Sequence, residues 1–353
     1  MDHSTPYFIF KPEILEKNFK NLDALCKKYL KKYIIAYSVK TNSFHALLEK
    51  LNKLGSSFEV ASLNEIIYVE NFGKKIIFNG PCKTKEELQK TIKNNMVINV
   101  DSRSEMEKII SLLKGKPYQV GIRINLNESK FGFDESQLQD IIACAKDNLL
   151  KIRGLHFHPG TQQSLSDYEI FLSKVYEFLK RFFEMHAIHL DYIDLGGGFP
   201  DHHKLKNLGH TLEDYFQSIA QTIGRLKNNY DTIAIEPGRC LVADAFELIT
   251  RINVIKERGD ITYAILDAGI NLLPKIALSQ FTFSKIKQTK ETKEKSKEYV
   301  LAGPLLFNND LLGKFHGNLK EGDRIKIENV GAYCYNLAWE ISYKKPQITI
   351  GKK

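Results

Sequence analysis

A chain of 353 residues with 43% hydrophobic composition can bury a sizeable core, as one large domain or as a large and a small one. Its net charge of +9 is densest in KIKQTKETKEKSKE (285–298), where glutamate is interleaved and neither arginine nor aromatic residues accompany the lysines. That texture points away from nucleic acid and toward a solvated loop, while a basic field still suits an acidic substrate. Five scattered cysteines without a CxxC pair indicate neither a disulfide framework nor a zinc site. No apolar run approaches membrane-spanning length, so a soluble, cytoplasmic protein with reduced thiols and no membrane partner is expected.

The N-terminal TPYFIF (5–10) is strand-like and precedes a helix over 12–31. From residue 34, short β-branched runs alternate with amphipathic helical stretches. The runs are IIAYSV (34–39), SFEV (57–60), KIIFN (75–79), VINVD (97–101), QVGIRI (119–124), RGLHF (153–157), YIDL (192–195) and TIAIE (232–236). Helical patterns such as 43–54, 102–113 and 167–186 lie between them. Eight βα units in about two hundred residues match a (β/α)8 barrel, and a doubly wound open sheet is the alternative. After Arg239 the texture changes to strand-like runs at 247–259, 261–269, 298–303 and 322–333, separated by turns without helices. The expected organisation is an α/β barrel over residues 11–240 and an antiparallel β domain from 1–10 plus 241–353.

In such a barrel, chemistry collects at the C-terminal ends of the strands. Strand 1 ends in Lys40, strand 2 in Glu59, strand 5 carries Arg123, and strand 6 ends in His158. Strand 7 runs into Gly196, Gly197 and Gly198, and strand 8 into Glu236, Pro237, Gly238 and Arg239. A lysine directly after an apolar strand can be partly desolvated and act as a nucleophile toward an aldehyde; the plainer alternative is an ordinary strand-end lysine. The glycine run lets backbone N–H groups approach an anion, or is simply a tight turn. EPGR adds a second close-approach glycine and an arginine, which completes a phosphate cradle. An aldehyde that carries a phosphate and is held by a lysine is pyridoxal phosphate.

Glu236 would then keep the pyridine nitrogen protonated, and His158 would stack on the ring. His156 shares a strand face with His158 by the period of two, but no matching set of further ligands is visible at the other strand ends, so no metal is expected. His202 and His203, in FPDHHKL, read as loop surface.

These motifs resemble those of the fold-type III pyridoxal-phosphate-dependent decarboxylases, the group of ornithine and diaminopimelate decarboxylases, whose fold is alanine racemase-like. AYSVKTN (36–42) resembles the cofactor-lysine motif, SFEVASLNE (57–65) the segment after the second strand, and GLHFHPGTQ (154–162) the stacking-histidine motif. DLGGGFP (194–200) and EPGR (236–239) look like the two phosphate motifs, DAGIN (267–271) like the start of a β-domain strand pair, and GAY (331–333) like the tyrosine that reaches the phosphate. The likeness runs from about residue 5 to 345 in the family's order.

The resemblance implies that Lys40 bonds the cofactor aldehyde, Glu236 pairs with the ring nitrogen and His158 stacks on the ring. It also implies that Thr161, Gly197, Gly198, Gly238, Arg239 and Tyr333 hold the phosphate, with Glu59 and Arg123 close to the lysine and the ring hydroxyl. It implies a homodimer with shared active sites, in which Lys130, from SKFGF, and Asp310 pair across the interface.

One segment departs from the family. GPLLFNNDLLG (303–313) carries Leu306 and Phe307 where these decarboxylases typically have a cysteine, which protonates Cα, and an acidic or other substrate-sensing residue. Neither Leu nor Phe can do either task. Lys275 and Ser279 stand where diaminopimelate decarboxylases place an arginine and a tyrosine. The expectation is decarboxylation of an amino acid or conjugate that lacks a free distal amine and is larger or more apolar than ornithine. Cys334 or bound water would supply the Cα proton, with a buried, inert thiol as the plainer reading of Cys334. A racemase-type enzyme and an inactive regulatory homologue are the alternatives. Racemases of this fold usually put an arginine at the ring nitrogen, which Glu236 argues against.

Overall fold

The structure is a computed structural model and describes residues 4–274, 280–286 and 296–351. Its strands are β1 (Tyr7–Phe10), β2 (Tyr33–Ser38), β3 (Ser57–Val60), β4 (Ile76–Phe78), β5 (Val97–Val100), β6 (Tyr118–Arg123), β7 (Leu150–His156), β8 (Leu190–Asp194) and β9 (Tyr230–Ile235), followed by β10 (Phe246–Arg258), β11 (Ile261–Leu266), β12 (Thr282–Lys285), β13 (Lys297–Ala302), β14 (Leu311–Gly317), β15 (Arg324–Glu328) and β16 (Ile348–Ile350). Strands β2 to β9 are parallel and close into an eight-stranded barrel, with β9 returning to pair with β2. The eight sequence-predicted strands are these eight, and the open-sheet alternative falls.

Local chemistry starts the barrel helices just above the strand ends. The Ser62, Ser102 and Ser164 side chains accept from the backbone N–H three residues on, and Thr84 makes a reciprocal capping box with Glu87. Each cap satisfies an orphan donor of the first turn and stops the preceding loop from fraying. The long helix Leu165–Met185 buries Tyr168, Phe171, Phe178 and Phe182. Inside the barrel, Ala36, Ile77 and Ala234 form one packed cluster. Elsewhere in the lumen Tyr192 fills the space left by two glycines: a Cβ on Gly121 or Gly154 would come within 2.1 Å of its side-chain atoms.

The chain divides into two compact units, Asn18–Cys240, which holds the barrel, and Met1–Lys17 with Leu241–Lys353. The boundary lies inside the helix Pro12–Tyr29 instead of ahead of it. The second unit is a mostly antiparallel sheet in which β10 pairs with β1, β11 and β15. Two pairings, β1 with β16 and β11 with β13, are parallel within this otherwise antiparallel sheet. The sequence reading also passed over β12, β14 and β16. Two of these are only three or four residues long, and β14 contains two glycines, Gly313 and Gly317, that blur its alternation. His202 and His203 open a short helix, His202–Leu208, capped by Asp201, where loop had been expected. Among the described residues, no helix is long and apolar enough to cross a membrane.

Substituting Gly154→Ala forces a methyl group into the Tyr192 ring and is expected to destabilise the protein by about 1–3 kcal/mol. Urea denaturation measures it. A midpoint equal to wild type would show that the lumen is looser than the structure indicates.

Candidate active site

The strand ends of the barrel surround a cavity of about 550 Å³. Lys40, Glu59, Asn79, Arg123, His156, His158, Thr161 and Glu236 all reach its lining, so six of the sequence-predicted residues converge with Asn79 and His156 on one space. Lys40 stands in the short helical turn after β2, Glu59 lies within β3, and Glu236 directly follows β9.

Lys40 is half-buried and paired with an acid on the neighbouring strand. Its side chain is 40% exposed and its Nζ pairs with Glu59 Oε2 at 2.6 Å. Ser38 Oγ donates to the same carboxylate oxygen at 2.6 Å. Position, set by a buried acid, is therefore what the strand end gives this amine. Arg123 lies 3.6 Å from Asp101 and stacks over the Phe131 ring at 4.4 Å, which fixes its planar head at the cavity wall.

Glu236 is buried, with Asn79 Nδ2 donating to its Oε1 and His156 Nε2 3.6 Å from its Oε2. Burial alone would raise its pKa; His156, Lys40 and His158 outweigh that and hold it below the usual carboxylate range. The neighbouring Asp194 goes the other way, because burial and the Glu236 charge push its pKa well up. The two acids are therefore shifted in opposite directions, Glu236 toward its charged form and Asp194 toward its protonated one. Burial also lowers His156, and it pushes His158 down to about 3, with Lys40 and His156 adding to the effect. Both rings are neutral at neutral pH. His158 Nδ1 accepts the Gly160 N–H at 3.1 Å, which sets the plane of its ring.

His156, Asp194 and Glu236 bring three ligand-type atoms within 4.8 Å of one another. The strand ends thus do gather such a set, which sequence spacing could not show, although Asn79 already engages one oxygen of Glu236.

The glycines have close neighbours. A Cβ on Gly197 would lie 2.5 Å from the Glu236 carbonyl oxygen, one on Gly198 2.7 Å from Pro159, and one on Gly238 2.2 Å from Thr41 Oγ1. Gly196 and Gly198 take left-handed backbone angles, φ 65° and 88°. Among the described residues, no protein acceptor is recorded for the N–H groups of Gly197, Gly198 and Gly238. Donors of this kind, beside the buried Arg239, suit an anionic group. The lysine amine, the buried carboxylate and these amides together fit pyridoxal phosphate.

Five of the predicted residues that the structure describes lie in the other unit. Tyr333 occupies a turn with φ 59°. Cys334 is fully buried and donates to the Ala332 carbonyl at 3.7 Å, as a packed thiol does. Leu306 is fully exposed and Phe307 is 44% exposed. Lys275 and Ser279 lie outside the described residues, as does 287–295 of the lysine-rich run. Of the two residues assigned to a dimer contact, Lys130 is exposed. Asp310 is buried within its own unit, where its carboxylate accepts the N–H groups of Ile270 at 2.7 Å and Leu305 at 2.8 Å.

Sequence reasoning missed Asn79, Asn99, Tyr192 and Asp194. The available signal was Gly121 and Gly154 inside otherwise apolar strands, which mark room for a large inward side chain.

Comparison with known proteins places this geometry. Residues 16–243 match the model of the pyridoxal-dependent decarboxylases, pyridoxal binding domain. The chain is 30% identical to a diaminopimelate decarboxylase of Methanocaldococcus jannaschii over 95% of this chain and 83% of that one. A solved structure of diaminopimelate decarboxylase from that organism superposes with a TM-score of 0.90 at 27% identity, covering 99% of this chain and 88% of the other. The Helicobacter pylori enzyme, solved in complex with L-lysine, gives 0.88 at 28% identity, covering 99% and 92%.

Both buried histidines are neutral in the folded protein, whereas in the unfolded chain they titrate near 6.5. Below that pH the unfolded state binds more protons, so stability falls as pH drops from 7 to 5. Thermal melting of the cofactor-free protein should show this fall, and His156→Asn should flatten it. An unchanged slope in the variant would place the proton uptake elsewhere.

Proposed function

The chain belongs to the pyridoxal-dependent decarboxylases, and from that premise we propose that it acts on an amino acid or amino-acid conjugate that lacks a free distal amine. The observation that carries this reading is the segment 303–313: Leu306 and Phe307 are apolar and exposed where the family typically offers a thiol and an acidic or other substrate-sensing residue. An apolar pair cannot neutralise a distal ammonium, and it favours an apolar or capped side chain. The competing substrate is diaminopimelate, which the similar proteins are named for.

Pyridoxal phosphate, when bound, supplies an electron sink for the pair released as the Cα–carboxyl bond breaks. The chain's own residues supply the rest. Lys40, aimed by Glu59, would bond the aldehyde, and the Glu236 carboxylate would hold a proton on the ring nitrogen. The neutral His158 would lie flat on the ring. The amides of Gly197, Gly198 and Gly238, with Thr161, Arg239 and Tyr333, would take the phosphate, and Arg123 would stand by the ring hydroxyl.

A proton must reach Cα after carbon dioxide leaves. Leu306 and Phe307 have none to give, and the buried Cys334 is already engaged with Ala332, so water entering the open cavity is the donor we favour. The exposed Leu306, Phe307, Leu311, Trp339 and Ile341 of the β unit support a homodimer, since a second copy would cover them.

Carbon dioxide release measured across diaminopimelate, lysine, ornithine and N-acylated or apolar amino acids tests the substrate reading. The capped or apolar group should turn over fastest; a clear preference for diaminopimelate would refute it. Leu306→Cys should raise turnover by about a hundredfold, the lower end of what a positioned general acid contributes. Lys40→Ala should abolish turnover together with the visible absorption band of the bound cofactor.

A further inference from the structure

Beside the cavity, the hydrogen bonds run in one direction. Asn79 Nδ2 donates to Glu236 Oε1 and, at 3.4 Å, to Glu59 Oε1. Asn99 Nδ2 donates to Asn79 Oδ1 at 2.9 Å, and the Tyr192 hydroxyl donates to Asn99 Oδ1 at 2.6 Å. An ionised carboxylate only accepts, so Asn79 has to turn its NH2 toward the two acids and its oxygen toward Asn99. Asn99 is bound by the same logic, and a phenol can end the series because it donates without needing a donor behind it. Flipping either amide would set acceptor against acceptor.

The barrel is built around this series. Gly121 and Gly154 leave the slot that Tyr192 fills, and burial pushes the Tyr192 pKa well up, which keeps it a neutral donor. The Asn99 carbonyl accepts Lys83 Nζ at 2.9 Å, and Lys83 pairs with Glu105 at 2.9 Å, so the middle member is pinned through its main chain as well. Asn79 lines the cavity, whereas Asn99 and Tyr192 are not among its lining residues.

We propose that Tyr192, Asn99 and Asn79 are positioning residues that fix one oxygen of Glu236, so that the carboxylate is oriented and ionised before the cofactor enters. The inference rests on the cofactor assignment above and is independent of the substrate. The other charged or titratable groups around Glu236 are His156 at the end of β7 and His158 just after it, Asp194 at the end of β8, Lys40 after β2 and Glu59 in β3. None of them contacts the Tyr192 hydroxyl in the hydrogen bonds of the described residues.

The test is Tyr192→Phe, which keeps the ring in its slot and removes only the donor. Three quantities are measured: melting of the cofactor-free protein, the dissociation constant for pyridoxal phosphate, and the low-pH limit of that binding. The dissociation constant should rise about fivefold, the size of one hydrogen bond. Glu236 should also hold its proton more tightly once Asn79 is less firmly oriented, so the low-pH limit should move up by about half a unit. Asn79→Leu combined with Tyr192→Phe should bind no more weakly than Asn79→Leu alone. A variant that melts lower but binds with the wild-type constant and pH limit would reduce the hydroxyl to packing and overturn the proposal, as would additive effects in the double variant. Wild-type protein that takes up no pyridoxal phosphate would instead sink the cofactor assignment, and the relay's purpose with it.

Discussion

A carboxylate stripped of water and left charged is the constraint on which this barrel turns. Burying an unpaired ion costs far more than a domain can spare, and a buried acid ordinarily takes up a proton instead. Glu236 is 4% exposed and still held below the usual carboxylate range: Asn79 donates to it, the His156 ring and the Lys40 amine favour its charged form, and the adjacent Asp194 is pushed toward its protonated one. Two carboxylates in one environment are thereby driven to opposite protonation states, and that separation is what a site needs if one of them is to hold a cation.

Barrel closure is what allows it. The parallel pairing of β9 with β2 brings the end of the last strand beside the end of the first, so that Glu236 and Lys40 line the same cavity although 195 positions separate 236 from 40. The capped helices that follow β3, β4 and β5 hold the strand ends open as a rim. The lumen below is packed by Tyr192 against two glycines. Stability and chemistry share the same residues there.

Much of this was legible in the sequence, for identifiable reasons. Parallel strands buried on both faces read as β-branched runs, and all eight were found. Lys40, Glu59, His158 and Glu236 stand at or beside strand ends, where the fold predicts chemistry, so their positions along the chain sufficed. Asn79, Asn99 and Tyr192 were not found, because a polar residue inside an apolar run declares neither its direction nor its partner until the barrel closes. Asp194 was seen only as the first letter of a glycine motif. The partner of Lys40 was not legible, because Glu59 lies on another strand. Leu306 and Phe307 stand out in the sequence by their departure from the family's pattern, and their exposure is a property of the fold that no local reading could give.

The charge of Glu236 in cofactor-free protein is the property on which the whole site depends. Infrared spectroscopy of cofactor-free protein labelled with ¹³C-carboxyl glutamate, with Glu236→Gln as the difference reference, reads that charge directly. The account predicts a carboxylate signal that persists from neutral pH to well below the ordinary glutamate value of 4.5. A protonated carboxyl band assigned to Glu236 at neutral pH would contradict it.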